Sequence, residues 1–366
     1  MKTVLVAFGT RPEAIKMCEL IRELRDRSGI NVKIMVTGQH SGMLKQALDG
    51  CGLTPDYDLK IMRIGQTLSY ITTEVLKGAD GVISELLPDI VLVHGDTTSA
   101  LSVALAAFYR GIPVGHIEAG LRTYDVSAPF PEELNRRAIA LVAKYHFAPS
   151  ESAAQNLLSE GVAERYVFVT GNTVVDSLLK DIKDGYVSEY TDLAAGKRIV
   201  ILTAHRRENL SELSSVFRAV RRAVERYPDI CVIYPVHKNE RILSLAAEVF
   251  FGVPRVYLCE PISAFDFHNL LNLSALVLTD SGGVHEETFY LGKPALVLRK
   301  ATERKELLSN SHIKLVGTDE NTVFSAIVDM LDNSSRCGIF TDRESRLGDG
   351  LASKRIADAL CKILSV

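Results

Sequence analysis

Three acidic side chains follow predicted strands or open a helix, at positions from which an open α/β sheet reaches its ligand. His94-Gly95-Asp96-Thr97-Thr98 follows an apolar run at 90–93, and His116-Ile117-Glu118-Ala119-Gly120-Leu121-Arg122-Thr123 begins where the run at 114–117 ends. Pro129-Phe130-Pro131-Glu132-Glu133-Leu134-Asn135-Arg136-Arg137 opens a helix. Asp96, Glu118 and Glu132 are therefore expected to converge on one crevice from three segments. Carboxylates brought together split their pKa values and can divide acid work from base work. The plainer reading, acidic residues favouring a helix's first turn, covers one of Glu132 and Glu133 easily but explains Asp96 and Glu118 poorly.

Basic and glycine-rich stretches occupy the remaining strand ends. In Phe8-Gly9-Thr10-Arg11-Pro12-Glu13-Ala14-Ile15-Lys16, Arg11 and Lys16 flank the start of a helix, where an anion would sit; the alternative for Arg11 is an ion pair with Glu13. Thr203-Ala204-His205-Arg206-Arg207-Glu208-Asn209 offers His205 as an acid/base near neutral pH and Arg206 and Arg207 as anion ligands. Pro235-Val236-His237-Lys238 adds a second histidine. Thr279-Asp280-Ser281-Gly282-Gly283-Val284-His285-Glu286-Glu287 joins a strand to a helix. Its Ser-Gly-Gly turn leaves backbone N–H groups uncovered at the positive end of that helix, a site for phosphate. The competing reading is a tight turn whose glycines serve packing alone. Phe289 stands where a zinc-binding His-Glu-x-x-His helix needs histidine, so no metal is expected. With no Gly-x-Gly-x-x-Gly and no Walker A sequence, no cofactor is expected either.

The elements that must position these residues alternate along the chain. Strands are predicted at 4–7, 32–36, 90–93, 114–117, 145–147 and 166–169, with helices near 12–27, 41–49, 69–86, 98–110, 132–143, 150–159 and 174–184. Periodicity lapses over 185–197, which reads as a linker. Strands then return at 199–202, 231–235, 256–258, 275–278, 295–298 and 313–315, with helices between them and a last helix near 351–364. Strands alternating with helices mean parallel βαβ units. The expected fold class is α/β, with two doubly wound Rossmann-like domains, 1–185 and 186–349, binding ligand in a central cleft.

A chain of 366 residues suits two domains, and 47% hydrophobic with 24% charged residues is the balance of a globular protein. A net charge of −3 without a Lys/Arg block argues against nucleic acid. No apolar stretch approaches the roughly 20 residues that span a bilayer, so no membrane association is expected. Six cysteines without Cys-x-x-Cys spacing read as thiols in a reducing compartment, which points to the cytoplasm.

The motifs quoted above, with Gly171-Asn172-Thr173-Val174-Val175-Asp176, resemble those of the bacterial non-hydrolysing UDP-N-acetylglucosamine 2-epimerases, in order from residue 3 to about 317. The resemblance implies a glycosyltransferase-B type fold, with a final helix, 350–366, packing back on the N-terminal domain. It implies a cofactor-free interconversion of UDP-GlcNAc and UDP-ManNAc, supplying sugars for cell-surface polysaccharide, by a homodimer. UDP would be eliminated anti to the C2 proton, giving 2-acetamidoglucal, and then added back. By position, Asp96, Glu118, Glu132 and His205 match the family's catalytic set. Arg11, Lys16, Arg136, Ser281, Gly282 and Gly283 match its nucleotide and diphosphate contacts, and Glu287 its ribose contact. Gln39, His40, Gln66, Arg206 and His237 match a site for a second, activating UDP-GlcNAc, although Ser41-Gly42 departs from the family's pattern there.

The residues themselves leave other UDP-sugar proteins open. A glycosyltransferase of the same fold would share the diphosphate cradle but would not need three carboxylates at C1. A hydrolysing epimerase, an epimerase of another UDP-2-acetamido sugar, and a sensor without turnover are the further alternatives.

Overall fold

The structure is a computed structural model, described over residues 1–38, 41–63, 65–204, 212–236, 239–299, 312–333 and 348–366, with backbone alone at 41–43. The chain divides into two compact units, Met1–Leu179 with Arg343–Val366, and Lys180–Asp342.

In the first unit the chain runs β1 (Lys2–Phe8), α1 (Arg11–Arg25), β2 (Ile30–Val36), α2 (Ser41–Cys51), β3 (Tyr57–Asp58), α3 (Leu68–Leu86), β4 (Ile90–His94) and α4 (Thr98–Tyr109). It continues through β5 (Val114–Ile117), α5 (Glu132–Val142), β6 (Tyr145–Ala148), α6 (Glu151–Ser159), β7 (Val167–Val169) and α7 (Thr173–Asp181), whose last residues belong to the second unit. The strands form a parallel sheet in the order β3-β2-β1-β4-β5-β6-β7. Val4, Leu5, Val6, Ile90, Val91 and Leu92 are fully buried, as strands covered by helices on both faces must be. The order reverses direction between β1 and β4, and such a switch point opens a crevice at the strands' carboxyl ends. Arg11 follows β1 and Asp96 follows β4, so topology places both at that crevice.

The second unit repeats the plan with α8 (Glu189–Ala194), β8 (Arg198–Thr203), α9 (Leu213–Arg226), β9 (Ile230–Pro235), α10 (Glu240–Phe250), β10 (Val256–Cys259), α11 (Ala264–Leu273), β11 (Leu276–Thr279), α12 (Gly282–Tyr290), β12 (Ala295–Val297), β13 (Ile313–Leu315) and α13 (Glu320–Asp332). Its parallel sheet has the order β10-β9-β8-β11-β12-β13. Here the switch lies between β8 and β11, and the Ser281 turn follows β11.

The last helix, α14 (Ala352–Leu364), packs on α1 and belongs to the first unit. Ile356, Ala357, Leu360 and Leu364 join the core of β1, β2 and α1. Burying such a leucine or isoleucine contributes about 1.5–3 kcal/mol. Its first amides are held by Asp176, whose Oδ1 accepts from Ala352 N at 3.1 Å and Oδ2 from Ser353 N at 2.6 Å.

Two local expectations change. Residues 185–197 do not form a bare linker, because they include α8. The stretch before it is pinned along α11: Tyr186 Oη donates to Asp266 Oδ1 at 2.6 Å, Lys183 N to Asn269 Oδ1 at 2.8 Å, and Asn269 Nδ2 to Asp181 O at 2.9 Å. The two-residue β3 lies among the strands where none was expected, since a pattern of period two cannot register in so short a piece. Among the described residues no helix is long and apolar enough to cross a membrane.

Candidate active site

Glu13 organises the loop after β1. Its Oε2 accepts from Gly9 N at 3.0 Å, Thr10 N at 2.7 Å and Thr10 Oγ1 at 2.7 Å, and its Oε1 accepts from Thr97 Oγ1 at 2.8 Å. One buried carboxylate thus ties the loop after β1 to the loop after β4. Burial pushes its pKa up, against those hydrogen bonds. Arg11 is the first residue of α1, and its guanidinium is held below its ordinary pKa by burial.

Lys16 points across the crevice to Glu118. Its Nζ donates to Glu118 Oε2, and the same oxygen accepts from Asn172 Nδ2 at 3.1 Å. The Lys16 and Glu118 side chains are only 9% and 7% exposed, and burying such charges is tolerable only as a pair. Glu118 itself has φ +61°, a left-handed conformation that costs a non-glycine residue of order 1–3 kcal/mol and clusters at functional sites. The turn is held open by Gly120 at φ +90°, where an added Cβ would lie 2.1 Å from Ala153 O. His94 Nε2 stands 3.8 Å from Glu118 Oε2, too far for a hydrogen bond.

Asp96 has its own partner. Arg136 Nη2 donates to Asp96 Oδ2, while Arg136 Nη1 lies 3.4 Å from Glu133 Oε2. Asn135 Nδ2 donates to Asp96 O at 2.8 Å. Glu133, fully buried, accepts from Thr123 N at 3.0 Å and Tyr124 N at 2.9 Å. It therefore folds the segment that leads into α5. Glu132 is the first residue of α5, one helical turn before Arg136. Lys16 and Arg136, expected on the diphosphate, each also face a carboxylate: the fold converts scattered charges into the pairs Lys16–Glu118 and Arg136–Asp96.

In the second unit, Ser281 caps α12 and its amide donates to Thr279 Oγ1 at 3.0 Å, leaving the next amides at the helix's positive end. A Cβ on Gly283 would meet no atom within 4 Å among the described residues, and its φ is not positive. Neither packing nor backbone conformation requires glycine there, which favours the ligand reading of the turn. Glu287, on α12, is 8% exposed, and its Oε1 lies 3.6 Å from His268 Nε2. Gln66 is half-buried just before α3. His205, Arg206, Arg207, Gln39, His40 and His237 lie outside the described residues.

Three residues at these sites escaped the sequence reading as individuals. Asn172 stood inside a quoted motif without a role, Glu133 was read as helix-end chemistry, and His268 is a solitary histidine in a helix, which carries no pattern at all.

Burial also sets a pH dependence. It pushes His94 down to about 4, His116 to about 3 and His146 to about 4. Each folded pKa lies below the ordinary 6.5, so the unfolded chain takes up protons that the folded chain refuses. The stability that each contributes is present above pH 6.5 and lost as pH falls through about 4. At 1.36 kcal/mol per pKa unit, moving from pH 7 to 5 costs about 2 kcal/mol per histidine. Urea unfolding at the two pH values should register this, and His146→Gln should flatten the slope.

A family model described as UDP-N-acetylglucosamine 2-epimerase matches residues 22–361. The chain is 46% identical to the UDP-N-acetylglucosamine 2-epimerase of Bacillus subtilis (strain 168), over 98% of this chain and 94% of that one. Among solved structures, the S. aureus MnaA–UDP co-structure superposes with a TM-score of 0.94 at 41% identity, covering 100% of this chain and 97% of that one. The Neisseria meningitidis UDP-GlcNAc 2-epimerase bound to UDP-GlcNAc superposes with a TM-score of 0.92 at 38% identity, covering 98% and 100%.

Proposed function

Because this chain belongs to the UDP-N-acetylglucosamine 2-epimerase family, we propose that it interconverts UDP-GlcNAc and UDP-ManNAc by eliminating UDP and adding it back. The observation that carries this reading is Glu118, a buried carboxylate in a left-handed turn, gripped on one oxygen by Lys16 and Asn172. Such placement fits a group that handles a proton at a fixed atom.

In the forward step a carboxylate among Asp96, Glu118 and Glu132 takes the C2 proton. The C2–H electron pair becomes the C1=C2 bond of 2-acetamidoglucal, and the C1–O pair leaves on the β-phosphate of UDP. Positive charge building at C1 is met by the remaining carboxylates. Negative charge growing on the diphosphate is met by Arg11, His205 and the amides of Ser281, Gly282 and Gly283. Return reverses the bonds, with the proton delivered to the opposite face of C2. Lys16 and Arg136 serve this scheme as diphosphate contacts that also hold Glu118 and Asp96 in place. Glu287 takes the ribose. No redox cofactor is needed, since no carbon changes oxidation state overall. Gln39, His40, Gln66, Arg206 and His237 are the candidate activator contacts, and Ser41-Gly42 favours a loss of activator dependence; a rate that stays hyperbolic in UDP-GlcNAc supports that loss, and clear sigmoidicity overturns it.

The thiols of Cys18, Cys231, Cys259 and Cys361 support a cytoplasmic protein. A homodimer is supported by the apolar residues that α4 and α5 expose, with Phe108 52%, Tyr109 69%, Leu134 51% and Leu141 87% exposed. Leu134 and Leu141 are seven apart and share a helical face. Leu141→Glu should therefore halve the sedimenting mass; a parent that already sediments as a monomer overturns the dimer.

The reaction is tested by incubating the protein with UDP-GlcNAc in deuterated water, without acceptor or cofactor, and following C2 by NMR. Deuterium at C2 of a mixed UDP-GlcNAc and UDP-ManNAc pool is expected. UDP-GlcNAc left without exchange at C2 points to a glycosyltransferase, and free ManNAc with UDP to a hydrolysing enzyme; either result overturns the proposal.

A further inference from the structure

The second unit contains an acid–histidine–acid chain around a buried imidazole, and of its members the mechanism above uses only Glu287. His268, on α11, is 2% exposed. Its Nδ1 lies 2.7 Å from Asp181 Oδ2, and its Nε2 lies 3.6 Å from Glu287 Oε1. Both ring nitrogens thus face carboxylate oxygens, an arrangement that suits an imidazolium donating on both sides. Burial opposes that charge, yet the hydrogen bond to Asp181 and the nearby Glu287 carboxylate prevail and push His268 up to about 9.

Glu287 is asymmetric. Oε1 faces the imidazole, whereas Oε2 is buried with no hydrogen-bond partner among the described residues. A purely structural ion pair would be expected to satisfy both oxygens, since a bare buried carboxylate oxygen carries a desolvation penalty. The bare oxygen calls for a donor from beyond the described residues, which a bound ribose would supply. The neighbouring Asn269 reinforces the arrangement, because its side chain holds Asp181 O at 2.9 Å and Lys183 N at 2.8 Å. The anchor of the imidazole is therefore itself fixed.

We propose that His268 is a positioning residue for nucleotide recognition: anchored on Asp181, it holds Oε1 of Glu287 so that Oε2 is presented to the ribose hydroxyls. The inference rests on Glu287 being the ribose ligand and adds what sets its rotamer. Without His268, Glu287 loses both its fixed orientation and its compensating charge, and discrimination for the ribose diol falls.

The test is calorimetric binding of UDP and of 2′,3′-dideoxy-UDP to the parent, Glu287→Ala, His268→Leu and Asp181→Asn. Hydrogen bonds to a charged acceptor should make the parent prefer UDP by about tenfold to a hundredfold. Glu287→Ala should abolish that preference. His268→Leu should reduce it to about threefold or less, leave dideoxy-UDP affinity nearly unchanged, and raise KM with kcat within about threefold. If His268→Leu keeps the parent's preference while Glu287→Ala loses it, His268 does not position Glu287. If Glu287→Ala itself keeps the preference, the ribose assignment fails and the inference falls with it. Should His268→Leu fail to fold, Asp181→Asn carries the same expectation, and an unchanged preference in that variant overturns the proposal.

Discussion

Replacing Glu118 by Gln is expected to lower kcat about a thousandfold while UDP still binds within about threefold of the parent. Gln keeps the shape of the side chain, so the turn after β5 retains its course, but an amide cannot accept the C2 proton or answer positive charge at C1. Losing a positioned acid–base group costs about a hundredfold to ten-thousandfold. The same change strips Lys16 of its counter-charge, in a pair whose side chains are 9% and 7% exposed. Removing one member of a buried pair costs about 3–5 kcal/mol, so the variant should also melt well below the parent. Retained UDP binding shows that the fold survives at assay temperature. A variant with full turnover would take Glu118 out of the mechanism.

Asp96→Asn should also reduce kcat by about a thousandfold, but with a different stability signature. Asp96 is 25% exposed, and its partner Arg136 keeps a second carboxylate, Glu133 Oε2, at 3.4 Å. The guanidinium is therefore not left without compensation, and the stability loss should be about 1 kcal/mol, the scale of a single hydrogen bond. Steady-state kinetics with a thermal melt separate the two variants: equal losses of turnover, unequal losses of melting temperature. Full activity in Asp96→Asn removes that residue from the chemistry. Equal destabilisation of the two variants contradicts the pairing described above.

The alternation of strand and helix was legible because parallel strands covered on both faces read as unbroken apolar runs, as 90–93 and 276–278 do. The two-residue β3 left no such trace, and the pinning of Asp181–Tyr186 along α11 depends on contacts that no local pattern records. The candidate site was legible to the extent that chemistry clusters at strand ends, which drew attention to Asp96, Glu118 and the Ser281 turn. The pairing of charges was not legible. Lys16 and Glu118 are 102 residues apart in the chain, and Arg136 and Asp96 are 40 apart, so their partnership is a property of topology. Asn172 and His268 act on charged neighbours distant in the chain and carry no periodicity.

The proposed reaction cleaves the bond between C1 and the diphosphate in every turnover. Positional isotope exchange tests this most directly: UDP-GlcNAc carrying oxygen-18 in the anomeric bridge is incubated with the protein and followed by phosphorus NMR. Elimination frees the β-phosphate to rotate before re-addition, so the label should scramble into its non-bridging positions at a rate comparable to epimerisation. Epimerisation at C2 with the label held in the bridge would contradict elimination and re-addition.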